Sequence, residues 1–111
     1  VMLKDAHGTR AAVVRQSLEQ LPCFSLWKDT GALEDGYVTG LEPGSNFPNP
    51  RSFEGEHRRV IELAPGASRS LRVELQFLDD SQAITRAAEQ ITSRQTSAPD
   101  LQQAPDPDWC A

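Results

Sequence analysis

The sequence predicts a mainly β fold: an antiparallel sheet segment with one C-terminal helix and an extended tail. Between residues 11 and 78, short runs alternate apolar and polar residues, as strands do when one face of a sheet is covered. Residues 80–95 repeat apolar side chains every three or four positions, which is the period of an amphipathic helix. After that, residues 96–111 hold three prolines among mostly polar residues, which is typical of an extended or disordered segment.

The size and composition set limits on the function. The chain has 111 residues, of which 38% are hydrophobic and 24% charged, so it forms at most one domain with a modest core. A net charge of −5 without a basic stripe argues against nucleic-acid binding. The sequence shows no signal peptide and no apolar run of the roughly 18 residues that a spanning helix needs. Cys23 and Cys110 lie too far apart for a metal motif or a disulfide framework, which predicts a reducing, cytoplasmic setting.

Three strands are predicted before the proline-rich loop. Residues 11–16 read AAVVRQ, a β-prone run with two adjacent valines. Residues 21–30 read LPCFSLWKDT. Pro22 either limits this strand to an edge of the sheet or is itself the first residue of the strand. The polar residues 30–36, which contain two glycines, predict a loop, and 37–42 (YVTGLE) is then the third strand.

A β-hairpin is predicted next. RVIEL (59–63) and SRSLRVELQFLD (68–79) flank APGA, in which Pro65 and Gly66 suit the second and third positions of a type II turn. In the second arm apolar and polar residues alternate, which predicts one buried face and one wet face. The apolar residues are Leu71, Val73, Leu75 and Phe77.

The predicted helix carries one apolar stripe, formed by Ile84, Ala87, Ala88 and Ile91. Asp79 or Asp80 suits the N-cap, and Gln82 would complete a capping-box-like arrangement with Asp79. Trp109 in the tail has the size to dock back on the fold, at a position that the sequence leaves open.

The predicted organisation has three segments: a β-sandwich fragment at 1–79, the helix at 80–95, and the tail at 96–111. One short helix covers only part of one sheet face. The remaining apolar face therefore implies further strands or a partner chain. The chain begins Val-Met-Leu-Lys rather than with an initiator methionine, which suggests a piece of a longer chain or a processed one.

The stretch GLEPGSNFPNPRSFE (40–54) contains the main candidate site. Three prolines stiffen this loop, and a stiff loop at the end of a strand is a common place for binding and catalysis. Glu42 is the candidate catalytic carboxylate, and a strand-end glutamate without any function is the alternative. Candidate sugar contacts follow it: Asn46 and Asn49 for hydroxyl groups, Phe47 for an apolar sugar face, and Arg51 as a cation.

Trp27 and Lys28 are secondary candidates. In the period of a strand, Trp27 shares a face with Cys23 and Ser25, so it either packs on the sheet or lies under a sugar ring, with Lys28 at the rim.

Two further groups of polar residues are assigned no chemistry. His7 and His57 lie in polar loops without partner spacing, so we expect them to be solvated. Arg58 and Arg59 stand among glutamates, which predicts a solvated face of mixed charge.

Residues 21–54 together with RRVIELAPGASRSLRVELQFLD resemble the C-terminal part of aldose 1-epimerase-like proteins. These are a domain-of-unknown-function family in the galactose mutarotase-like superfamily, and the resemblance covers roughly residues 10–95. The run from Gly40 to Pro50 carries most of it. The resemblance implies a β-supersandwich larger than this chain, and it implies that Glu42 is the catalytic base.

The chemistry implied is the interconversion of sugar anomers. A base removes the proton of the anomeric hydroxyl while an acid protonates the ring oxygen, and the ring recloses after the aldehyde has turned. A glutamate base works best when partial burial raises its pKa. The acid histidine of the mutarotases is matched by neither His7 nor His57, so we expect the isolated chain to be inactive. The loop from Glu42 to Pro48 is also one residue longer than in the mutarotases.

The predicted function is therefore a carbohydrate-binding segment of an aldose 1-epimerase-like isomerase, without metal or organic cofactor. A non-catalytic carbohydrate-binding module and a structural β-domain are the alternatives. The expected partners are a small-molecule sugar and either the remaining part of its own fold or a second copy. Nucleic acid and membrane are not expected.

Overall fold

The computed structural model describes residues 1–110 and confirms a mainly β fold with antiparallel sheets and one main helix. Residue 111 of the predicted tail lies outside the described residues. The strands are β1 Met2–Lys4, β2 Ala11–Gln16, β3 Cys23–Lys28, β4 Thr39–Gly44 and β5 Val73–Leu78. The helices are α1 Arg51–Glu56 and α2 Ser81–Ser93, with a 3-10 turn at Leu33–Asp35. The strands divide between two compact units, so the predicted segment 1–79 belongs to both.

The first unit contains Val1–Arg15 and Val73–Gln103 and is built on a three-stranded sheet in the order β1-β2-β5. β1 is antiparallel to β2, with Met2 opposite Val13 and Leu3 opposite Ala12. The buried apolar side chains of this unit come from β2 and α2, and they are Ala11, Val13, Val14, Ile84 and Ala87. Strand β2 lies at 11–16, where it was predicted.

Helix α2 confirms the predicted apolar stripe, because Ile84 and Ala87 are buried. Its N-cap is Asp80, whose carboxylate accepts a hydrogen bond of 2.7 Å from the backbone N–H of Ala83. The cap therefore belongs to Asp80 and not to Asp79. This bond satisfies one of the amide groups that have no partner in the first turn of a helix.

The predicted hairpin between 59–63 and 68–79 is wrong. β5 is a neighbour of β2 instead, and residues 57–72 contain no strand. The first arm cannot extend, because Arg58 has a positive φ of 58° and the backbone N–H of Arg59 bonds the carbonyl of Glu54 at 2.9 Å. The turn itself forms as predicted: Gly66 has φ 79°, and the N–H of Ala67 donates to the carbonyl of Ala64 at 2.9 Å.

The second unit contains Gln16–Arg72 and the C-terminal segment from Ala104 onward. Its two-stranded antiparallel sheet pairs β3 with β4, and Leu21 and Cys23 are its buried apolar residues. The third strand begins and ends two residues later than predicted. Pro43 is tolerated inside β4 because each strand of a two-stranded sheet has one edge that needs no ladder hydrogen bond.

Candidate functional site

One face of the β3–β4 sheet combines an exposed indole with an exposed carboxylate. Residues that lie directly opposite in an antiparallel pair project to the same face. The register sets Ser25 opposite Glu42 and Trp27 opposite Gly40, so these four residues share one side of the sheet, here called the Trp27–Glu42 face. Trp27 is 51% exposed, and Glu42 is exposed as well.

Gly40 creates the space that brings the two functional groups together. A Cβ atom at Gly40 would collide with the carboxylate of Glu42, so this carboxylate lies across the glycine. Gly40 is the residue opposite Trp27, and the carboxylate therefore lies beside the indole position. An aromatic surface and a carboxylate acceptor suit the apolar and the hydroxyl-bearing parts of a polar ring compound.

Two expectations for Glu42 are wrong. It was predicted to end its strand, but it lies inside β4, two positions before Gly44. Partial burial was expected for a base, whereas the side chain is exposed. The strand extends past it because Pro43 still pairs with Phe24.

Lys28 and Arg51 do not belong to the Trp27–Glu42 face. Lys28 is opposite Thr39, on the reverse side of the sheet from Trp27. Arg51 is the first residue of α1 and is exposed.

The proline loop instead surrounds a second carboxylate, that of Glu54. This side chain has no exposed surface and accepts four hydrogen bonds. Arg59 donates two of them, from Nε to Oε2 and from Nη2 to Oε1, each at 2.8 Å. The backbone N–H of Phe47 donates at 3.1 Å, and Asn49 Nδ2 donates at 2.7 Å. The predicted solvated face of mixed charge is therefore wrong for Glu54 and Arg59, which form a bidentate pair around the buried Glu54 carboxylate.

The C-terminal segment closes over this pair. Asn49 Nδ2 and Arg59 Nη1 donate to the carbonyls of Trp109 and Asp108, both at 2.8 Å. The Trp109 ring lies 5.8 Å from the Phe47 ring, centroid to centroid, and the Arg59 guanidinium lies 5.2 Å from the Phe47 centroid. We call Phe47, Asn49, Glu54, Arg59 and Trp109 the Glu54 cluster. Trp109 therefore docks against Phe47 and Asn49 of the proline loop.

The electrostatics of the cluster suit a structural role. The hydrogen bonds that Arg59 donates to Glu54 lower the pKa of this carboxyl more than burial raises it, and the pKa is about 2. A carboxylate that stays ionised at neutral pH and has its oxygens occupied is poorly suited to remove a proton from a substrate. Burial raises the pKa of the Cys23 thiol, and the charge of Glu54 adds to that shift.

Three predicted sugar contacts are used inside the loop. Asn46 Nδ2 donates to the carbonyl of Phe47 at 2.7 Å, and its Oδ1 accepts from Ser45 Oγ at 3.1 Å. Phe47 and Asn49 belong to the Glu54 cluster. The structure thus brings Phe47 and Asn49 together with Glu54, while Asn46 bonds its neighbours in the loop.

The two histidines differ. His7 is exposed in the β1–β2 turn, as predicted. His57 is half-buried instead: its Nδ1 lies 2.8 Å from the carbonyl of Phe53, and its ring centroid lies 4.3 Å from that of Phe53.

Sequence reasoning missed Glu54, Arg59 and the docking of Trp109. Asn49, Glu54 and Arg59 follow one another at intervals of five residues, which is the one local signal available.

Within residues 1–110, no three His, Cys, Asp or Glu side chains are grouped as metal ligands. None of the helices described has the length and apolar character to span a bilayer.

Comparison with known proteins places the chain in a family. A family described as "Domain of unknown function (DUF4432)" matches residues 1–77, well over half of the 111 residues. The match includes the Trp27–Glu42 face and the Glu54–Arg59 pair. No curated protein and no solved structure matches the chain. The chain belongs to the DUF4432 family.

Proposed function

We propose that the chain binds a saccharide on the Trp27–Glu42 face and is the carbohydrate-binding part of an aldose 1-epimerase-like protein. The observation that supports this proposal is the exposed indole beside an exposed carboxylate on one sheet face. The C–H face of a pyranose packs on the indole, and a sugar hydroxyl donates to Glu42. Gly40 leaves room for the Glu42 carboxylate beside the indole.

Glu42 then has the role that the resemblance implies. Its carboxylate takes the proton of the anomeric hydroxyl, the bond between C1 and the ring oxygen breaks, and an acid delivers a proton to the ring oxygen. The open aldehyde turns about the C1–C2 bond, and the reverse transfers close the ring as the other anomer. The cytoplasmic setting proposed for this reaction accords with the two free cysteines, of which Cys23 is buried.

The base role is tested by supplying the missing acid from solution. The α-to-β exchange rate of a monosaccharide is measured by magnetisation-transfer NMR in imidazole buffer near its pKa, with and without the chain. We expect the chain to add to the buffer-catalysed rate, because imidazolium substitutes for the acid. Glu42→Gln should remove the added rate, whereas Glu34→Gln, in the 3-10 turn of the same unit, should retain it. An added rate that survives Glu42→Gln would assign the base elsewhere.

A structural β-domain is the second candidate, and the Glu54 cluster favours it. The polar groups of the proline loop form hydrogen bonds to Glu54 and to the C-terminal segment, as expected of a loop with a structural role. In that case no sugar alters the signals of Trp27.

A further inference from the structure

Strand β5 is an edge strand with an apolar side that is open to solvent. In the order β1-β2-β5 it has β2 on one side, and the described part of the chain supplies no strand on the other. The expected burial of its apolar residues is wrong: Val73 is 43% exposed, Leu75 65% and Phe77 80%. An unpaired edge next to an apolar face is a template for pairing with another strand.

The polar side of β5 is already occupied. Arg15 Nη1 donates to Glu74 at 3.0 Å and to Gln76 at 2.7 Å, so these two side chains lie on the Arg15 side of the sheet. Because side chains alternate along a strand, Val73, Leu75 and Phe77 project to the opposite side. Ala12 and its β1 partner Leu3 project to that side too.

The apolar side extends across the sheet. A groove of about 610 Å³ lies where β1 ends, β2 begins and β5 ends, and its lining includes Leu3, Ala12 and Phe77, one residue of this side from each strand. The face is therefore continuous from β1 to the free edge of β5.

We propose that β5 pairs with β5 of a second copy, antiparallel about a two-fold axis at Leu75, to form a six-stranded sheet. This register sets Leu75 opposite Leu75, Val73 opposite Phe77, and Glu74 opposite Gln76. Each copy extends the other's apolar side, and no like charges face each other. Directly opposite apolar and β-branched or aromatic pairs are the contacts that stabilise a sheet.

The sequence of β5 disfavours the neighbouring registers. An axis at Glu74 sets two glutamates opposite each other, which is destabilising. An axis at Gln76 sets Glu74 opposite Leu78 and Val73 opposite Asp79. An axis between two residues sets apolar side chains of one copy opposite polar ones of the other. This self-complementarity at one register identifies a second copy, rather than an unrelated strand, as the occupant.

Charge predicts how the association responds to salt. Each copy has a net charge of −5, so two copies repel each other. Glu74 is the one charged residue among the paired positions 73–77, and it already bonds Arg15 of its own copy. Salt screens that repulsion. The dimer should therefore be tighter at high ionic strength than at low.

Sedimentation velocity of the full chain gives the first test. The wild type should have twice the monomer mass of 12.2 kDa. Leu75→Lys sets two ammonium groups face to face and should sediment as a monomer. Leu63→Lys, at a position that is 56% exposed in the other unit, should stay a dimer. A monomeric wild type, or a dimer that survives Leu75→Lys, would overturn the proposal.

Cysteine scanning tests the register and does not depend on the lysine variant folding. Opposite residues have Cα atoms about 4.5–5.5 Å apart, within the range of a disulfide. In a Cys110→Ser background, oxygen should link Leu75→Cys into a covalent dimer and leave Val73→Cys unlinked. Linkage of Val73→Cys, or of neither variant, would contradict the axis at Leu75.

Discussion

At the scale of single residues, Glu54 and Glu42 show how differently two carboxylates in one segment are used. Glu54 accepts donors from Phe47, Asn49 and Arg59 and has no exposed surface. Glu42 is exposed on a sheet face beside a glycine. Removing Arg59 would leave the charge of the buried Glu54 uncompensated, so Glu54 is a structural group. Glu42 is available to a ligand.

The acid stability of the protein should depend on Glu54. Its pKa falls from 4.5 to about 2 on folding, so the ionised form stabilises the native state above pH 4.5, and this contribution is lost as the pH falls toward 2. The melting temperature of the wild type should therefore drop across that interval. Glu54→Gln should melt lower at neutral pH and lose less on acidification, whereas Glu56→Gln, exposed on the same helix, should follow the wild type. Parallel curves for wild type and Glu54→Gln would refute this assignment.

At the scale of elements, local sequence patterns predicted the strand and the helix that depend on interactions between residues close in sequence. β2 occupies the predicted residues 11–16 around Val13 and Val14, and α2 follows its apolar stripe. The hairpin failed because its second arm pairs at long range: Arg15 and Gln76 are 61 residues apart. The Glu54 cluster was missed for the same reason, since its cover comes from Trp109, 60 residues beyond Asn49. The face shared by Trp27 and Glu42 required the strand register, which composition does not provide.

The N-cap of α2 provides a prediction for one element. Asp80→Ala removes the 2.7 Å bond to the N–H of Ala83 and should cost about 1 kcal/mol. For a chain of this size that is a fall in Tm of roughly 4–8 °C. Asp79→Ala is the matched control and should change Tm by less than about 2 °C, because surface substitutions cost little. Thermal melts followed by circular dichroism decide between them, and an equal fall for both variants would place the cap elsewhere.

At the scale of the whole molecule, the two units present different surfaces. The first presents an open apolar sheet face at β5, and the second presents the Trp27–Glu42 face together with the Glu54 cluster. The exposed apolar strand face of the first unit is the surface on which we propose that a second copy pairs.

Binding of a saccharide on the Trp27–Glu42 face can be followed through the two tryptophan indole N–H signals in a ¹⁵N-edited NMR titration with monosaccharides. We expect a saturable shift of the Trp27 signal and none of Trp109, which lies in the Glu54 cluster. Glu42→Gln should weaken the affinity about tenfold, the loss expected for a hydrogen bond to a charged group. A Trp27 signal that no sugar moves, or an affinity unchanged in Glu42→Gln, would rule out saccharide binding by these two residues.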